Sequence, residues 1–278
     1  MADTLKGELI FHCIELSQKF EKVIIIPLSD GHYGNPMFSK HHLNAAIDLI
    51  GSKPNHFTIF NGDMAECVIR GSKGDIAEQI YKVQEQFEYI RDAFMPLAKA
   101  GKILGITQGN HEERISEAAQ IDICDMWAKA WDCPYGREEI MIRVRFGGGS
   151  GRHPENPYVF FIHATHGYGG ARTKGAKNVK VERQSHQVHA DVYLQSHDHD
   201  ASVQAGVYLL PHTRTYTDKS TGRMIGSMIA VDKKLIKTGA FLKRGGYSAR
   251  KGYDPVSMGL TYIKLIGDHG HPRVRVEM

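Results

Sequence analysis

The sequence predicts an α/β protein with mixed β-sheets and helices on their outer faces. Three observations lead there. Continuous β-branched runs, the pattern of strands buried on both faces, recur along the chain. Amphipathic helical stripes separate them in the first half, and further strands follow without intervening helices in the second. The 278 residues, 41% of them hydrophobic, suffice for a sizeable core, and no repeat or long linker divides them. One domain spanning residues 1–278 is expected.

Val23 to Leu28 forms the first strand and enters the turn Ser29-Asp30-Gly31. Ser39 is placed to cap a helix with Leu43, Ala46, Ile47 and Ile50 on one face and Gly51 as its stop. Phe57 to Phe60 is a strand running into Asn61-Gly62-Asp63. A long helix is expected from about residue 75, because Ile76, Ile80, Val83, Phe87, Ile90 and Phe94 recur at helical spacing. Ile103 to Thr107 is a strand ending in Gln108-Gly109-Asn110-His111-Glu112, and a helix over about 116–131 follows.

Ile140 to Phe146 and Tyr158 to Ile162 are strands around the glycine-rich loop 147–151, and the second ends in His163-Ala164-Thr165-His166-Gly167. A helix from Gly175 with Val179 turned inward fits the next stretch. Val192 to Leu194 closes in Ser196-His197-Asp198-His199. Segments 203–210, 224–231, 260–266 and 274–276 add β-structure, with Asp268 to His271 closing a C-terminal hairpin.

Composition excludes more than it assigns. The longest apolar run near the N-terminus, Val23 to Ile26, is too short for a membrane span or a signal-peptide core, so a cytoplasmic protein without a membrane partner is expected. Cys13, Cys67, Cys124 and Cys133 form no C-x-x-C pair and read as core thiols. A net charge of +4 permits an anionic partner. Sixteen histidines are unusually many, and their positions matter more than their number.

Five strands end in turns carrying Asp, Asn or His: Asp30 and His32; Asp63; Asn110 and His111; His163 and His166; His197 and His199. Ligands of open α/β sheets bind beyond the carboxyl ends of strands. Carboxylate and imidazole together suit divalent first-row metals, and the absence of cysteine argues against a zinc finger. In an extended segment D-x-H and H-x-H place alternate side chains on one side. About seven ligands are too many for one tetrahedral ion and suit two.

These residues resemble the ordered motifs of the calcineurin-like metallophosphoesterases: Asp30-Gly31-His32, Gly62-Asp63, Gly109-Asn110-His111-Glu112, His166-Gly167 and His197-Asp198-His199. The motifs span about two-thirds of the chain. His166 to Arg183 followed by H-x-H is similar to members found in bacteriophages and prophages. The resemblance implies a four-layer αββα sandwich with a dinuclear metal site at the strand ends. Asp30, His32 and His199 would bind one ion, Asn110, His166 and His197 the other, and Asp63 would bridge them. It implies two divalent transition-metal ions, manganese first, with nickel, iron or zinc as alternatives. The histidine followed by glycine matches the family pattern, so His166 is preferred over His163. Ser196 stands where the family has glycine.

The activity implied is hydrolysis of a phosphoester by hydroxide formed at the two ions, with His111 as the catalytic group facing substrate. Glu112 would orient His111 or complement its helix dipole, and Asp198 would point away. Glu66 occupies the position of the purple acid phosphatases' tyrosine, so a ferric tyrosinate centre is not expected. Arg172, Lys174, Lys177, Lys180 and Arg183 form one basic run. Lys233, Lys234, Lys237, Lys243, Arg244, Arg250 and Lys251 form another, interleaved with Phe241, Tyr247 and Tyr253. Such runs suit a nucleic-acid backbone. They point to a phosphodiesterase or nuclease, with single- or double-stranded DNA as substrate and Arg172 and Lys174 as substrate-binding residues. The alternatives are a phosphomonoesterase and a non-catalytic metal-stabilised module. The sequence leaves the oligomeric state open.

Overall fold

The chain's computed structural model describes residues 10–72, 76–148, 157–250, 255, 257–267 and 273–278. In order these form β1 (Phe11–Glu15), β2 (Lys22–Ile25), α1 (Lys40–Gly51), β3 (His56–Asn61), α2 (Val83–Lys99), β4 (Ile103–Thr107), α3 (Asn110–Ala119) and α4 (Ile123–Trp131). There follow β5 (Tyr135–Gly136), β6 (Glu139–Phe146), β7 (Tyr158–Thr165), α5 (Lys174–Gln184), β8 (Val192–Gln195), β9 (Ser202–Thr217), β10 (Met224–Lys237), α6 (Gly246–Arg250), β11 (Tyr262–Ile266) and β12 (Arg273–Glu277).

Two six-stranded mixed sheets result, ordered β1-β6-β7-β8-β10-β9 and β12-β11-β2-β3-β4-β5. Strand alternation decides what packs where. Val23, Ile25, Phe57, Ile59 and Leu104 point from the second sheet at Ile142, Val144, Phe160 and Ile162 of the first, filling the space between the sheets. The opposite face of the second sheet, with Ile26, Phe60 and Ile106, packs on Leu43, Ile50, Ile90, Phe94 and Trp127 of α1, α2 and α4. Tyr193 and Leu235 carry Val181 of α5 on the outer face of the first sheet. The expected layering, helices–sheet–sheet–helix, is observed.

Several expectations need correction. Ile76 and Ile80 are 58% and 57% exposed and precede α2, which starts only at Val83. The Ile80 N–H donates to Gly34 O, tying that residue to the loop after β2 instead of to a helical turn. Residue 75 lies outside the described residues. The single helix over 116–131 is two: Gln120 ends α3 at φ +56°, and the Asp122 side chain accepts from the Asp125 N–H to start α4. Val179 is exposed on α5 and Val181 is the residue turned inward. Cys13 is exposed, not a core thiol. The segment 268–271 and most of the glycine-rich loop fall outside the described residues, though β11 and β12 do pair antiparallel. Among the described residues, no helix is long and apolar enough to cross a membrane.

Candidate metal centre

Parallel pairing of β2, β3 and β4 in one sheet, and of β7 and β8 in the other, brings five strand ends to one edge of the sandwich. Asp30 and His32 follow β2, Asp63 follows β3, and Asn110 and His111 open α3 after β4. His166 follows β7, and His197 and His199 follow β8. Asp30, His32, Asp63 and His166 are buried. Asn110, His111, His197 and His199 are half-buried and form the open side.

The backbone that delivers them is not extended. Asp30, His32, Asp63, His197 and His199 have φ of +48°, +50°, +55°, +70° and +57°. The left-handed region costs a non-glycine residue about 1–3 kcal/mol and persists where surrounding structure demands it. This corrects the expectation of alternate side chains along extended D-x-H and H-x-H segments. The two histidines of H-x-H diverge, each to a different group.

One group comprises Asp30, His32 and His199, and another Asp63, His166 and His197. His32 Nε2 lies 3.0 Å from His199 Nε2, which is 3.2 Å from Asp30 Oδ1. His166 Nε2 lies 3.1 Å from Asp63 Oδ2, and His197 Nδ1 lies 2.7 Å from Asn110 Oδ1. Asp30 Oδ1 and His166 Nε2 are nevertheless buried without a hydrogen bond. Close approach without hydrogen-bond alignment is what lone pairs aimed at a common third point produce, and two nitrogens each about 2.0–2.1 Å from one ion sit roughly 3 Å apart. The residues present therefore fit divalent cations by donor type and by orphaned atoms.

The protonation pattern agrees. Burial opposes the charge on His32, but the hydrogen bond and charge of Glu66, with Asp63 and Asp30, raise its pKa to about 9. Burial likewise opposes charge on His166, and Asp63 and Asp30 raise it to about 10. Asp30 is held at about 2 despite burial, by His199 and His166. Asp63 lies well below the carboxylate range, burial being outweighed by His166 and His111. Without a cation, these carboxylates hold protons on the imidazoles, and a cation replaces them.

His111 stands apart from both groups. Its Nδ1 is 2.7 Å from Glu66 O, which makes Nδ1 the donor and leaves Nε2 facing Asp63 Oδ2 at 3.8 Å. Burial pushes its pKa down to about 4, with Asp63 pulling the other way. It is therefore neutral at pH 7. A third group of potential ligands joins it to His32 and Glu66.

Three supporting residues, Glu66, Glu112 and Asn61, were missed or misread in the sequence. Glu66 Oε2 accepts from His32 Nδ1 at 3.0 Å and fixes that ring. Glu112 neither orients His111 nor merely complements a dipole. Its fully buried carboxylate accepts the Asp63 and Ala65 N–H groups, both at 2.9 Å, and so clamps the Asp63 turn. Asp63 Oδ1 returns the contact by accepting the His111 N–H at 2.8 Å. Asn61 joins four strand ends, accepting from Thr107, donating to Thr165 O and Ser196 Oγ, and receiving His166 Nδ1 on its carbonyl. Ser196 is thus a fitted member of this network in place of glycine. Asp198 points away from the two groups, and its side chain is 3% exposed between Lys180 Nζ at 2.8 Å and Lys237 Nζ at 2.7 Å. His163 is bonded to Glu139 and Gln184 and is in neither group.

The basic runs fare unequally. Arg172 and Lys174 are exposed beside the site's loop and have no ion-pair partner among the described residues. Lys177 and Lys180 are spent on Asp200 and Asp198. In the second run Lys243 and Arg244 are exposed, while other members are engaged. Lys237 is buried on Asp198, Lys233 reaches Ser185 Oγ over the Tyr208 ring, Arg250 pairs with Glu78, and Phe241 is core. Lys251 and Tyr253 lie outside the described residues, as does the Tyr247 side chain.

No family model and no curated protein matches the chain. Among solved structures, it is similar to a predicted phosphoesterase from Streptococcus pneumoniae TIGR4 (12% identity, 92% of this chain, 90% of that one, TM-score 0.37). It is also similar to wild-type Vps29 complexed with zinc from Entamoeba histolytica (11%, 92%, 98%, TM-score 0.39). A third is Chaetomium thermophilum Vps29 (13%, 91%, 95%, TM-score 0.36). At such TM-scores these likenesses carry no inference about the site.

Proposed function

We propose that this protein is a metal-dependent phosphoester hydrolase that holds two divalent transition-metal ions. One observation supports this above all: two groups of carboxylate and imidazole atoms, buried but for His197 and His199, converge side by side, with His111 beside Asp63 but in neither group. In this reading Asp30, His32 and His199 hold one ion, Asn110, His166 and His197 hold the other, and Asp63 lies between. Two such ions supply Lewis acidity toward a phosphoryl oxygen and make water nucleophilic near neutral pH. Glu66, Glu112 and Asn61 fix the ligand rings and turns so that little reorganisation accompanies substrate binding. His111 offers Nε2 toward the site. An anionic phosphoester beside it favours imidazolium, which then donates a proton to the leaving oxygen.

A phosphodiester, as in DNA, is the proposed substrate class, on the ground that Arg172 and Lys174, in the segment that follows His166, stand exposed with no ion-pair partner among the described residues. The second basic run no longer supports it. The test reloads metal-stripped protein with manganese, nickel, iron or zinc and assays aryl phosphate monoester, aryl phosphate diester, and single- and double-stranded DNA. Asp63→Asn is expected to lose both metal and turnover. His111→Ala is expected to retain both ions and lose about 10²-fold or more in kcat. Full activity in either variant defeats the mechanism. Bound metal with no hydrolysis of any ester identifies a non-catalytic module instead. Monoester turnover indifferent to Arg172→Ala and Lys174→Ala identifies a phosphatase.

A further inference from the structure

β9 and β10 pair antiparallel from Ser202–Lys237 at the root to Thr217–Met224 at the tip. β8 supports only the root, pairing with β10 over Lys234 to Lys237. Beyond that the two strands run on as a two-stranded ribbon, an arrangement marginal in water by itself. The ribbon is nonetheless apolar: Val207, Leu209, Tyr216, Met224, Met228 and Ile229 are 42–65% exposed.

Cross-strand partners share a face. Val203 and Ile236 are partners whose side chains join the core between the sheets. The same face continues outward through the pairs Val207–Asp232, Leu209–Ala230 and Pro211–Met228. The inner surface of the first sheet thus extends along the ribbon beyond the end of the inter-sheet core, with Val207, Leu209 and Met228 exposed on it beside the charged Asp232 and Lys234. β9 is also an edge strand, and from Ser202 to Thr213 it bears no Lys, Arg, Asp or Glu. Edges left to solvent are ordinarily blunted by such charges.

We propose that this ribbon is a dimerisation arm, and that its occupant is the same arm of a second copy of the chain. Three features select a second copy. Val207, Leu209 and Met228, each more than half exposed, stand together on that face as apolar surface of the kind that stable interfaces bury at ~800 Å² per partner. Asp232 and Lys234, opposite charges on that continuous face, are self-complementary about a two-fold axis. The charge-free edge of β9 presents no repulsion to its own copy.

The proposal is independent of the hydrolase reading. Sedimentation velocity of the full chain at micromolar concentrations should give a dimer. The double variant Leu209→Glu with Met228→Glu, both far exposed, should weaken dimerisation at least 100-fold while keeping the circular-dichroism spectrum of the parent. Hydrogen exchange on unmutated protein provides a check that does not depend on the variant folding: amides of residues 203–213 should lose protection on dilution. A monomeric parent, a variant that stays dimeric, or protection insensitive to dilution overturns the proposal. A monomer whose arm instead binds anionic vesicles or single-stranded DNA does so too.

Discussion

Asp63 shows how much one residue of this site must do. Its φ of +55° is held by Glu112, which accepts its N–H, and its Oδ1 caps the first turn of α3 through the His111 N–H. The Glu112 carboxyl is raised to about 7, chiefly by burial and then by the charge of Asp63, and is kept in place by the two N–H groups it accepts. Glu112→Gln turns an amide NH₂ against one of those donors. Such a loss is expected to destabilise the fold by about 1–3 kcal/mol. Urea unfolding in chelator, where metal affinity does not contribute, measures it, and an unchanged midpoint contradicts the clamp. His32 and His166 make a second expectation. Their pKa values of about 9 and about 10 mean that both hold protons at neutral pH without metal. Metal binding should release protons, and affinity should climb as pH rises toward that range and fall below it. Calorimetric titration in buffers of differing ionisation enthalpy counts the protons, and a release of zero contradicts the assignment of these rings as ligands.

At the scale of elements, the site depends on how closely the β3 and β4 turns approach. A Cβ on Gly109 would lie 2.1 Å from Asp63 Oδ1 and 2.2 Å from Asp63 N. Gly62, at φ +78°, would place a Cβ 2.6 Å from Gly109 backbone and from His166 Nδ1. Gly109→Ala is therefore expected to cost about 1–3 kcal/mol or more by overpacking and to lose metal, read by elemental analysis and thermal unfolding. These two glycines were visible in sequence as parts of motifs, and the strand runs before them gave the place of each turn. Apolar runs such as Ile103 to Thr107 declare themselves because burial on both faces demands them. The long-range partners stayed hidden: Asn61 looked like a turn residue, Asp198 pointed away with no partner in view, and Glu66 was noted only for not being tyrosine. Their roles rest on contacts with residues 18 to 135 positions away, such as Asp198 with Lys180, His32 with Glu66 and Asn61 with Ser196. Ile76 and Ile80 misled for the converse reason, since a helical period persists where a loop contact has already captured the backbone.

At the scale of the whole molecule, the two sheets meet on one core, yet each contributes half of the centre. The second sheet supplies Asp30, His32, Asp63 and Asn110, and the first supplies His166, His197 and His199. A ligand common to both ties one sheet to the other. Metal should thus stabilise the native state by about 2.7 kcal/mol at a hundred times Kd, raising Tm over the stripped protein. Asp63→Asn should erase most of that difference, and a Tm indifferent to metal in the parent contradicts a site between the sheets.

The order in which these pieces leave the ribosome has a consequence for the living cell. The Asp30 carbonyl accepts from Phe241 N–H, and Lys237 steadies the loop between His197 and His199. Synthesis therefore reaches His199 before the two residues that steady these loops, and the loops gain those contacts only when residues 237–241 emerge.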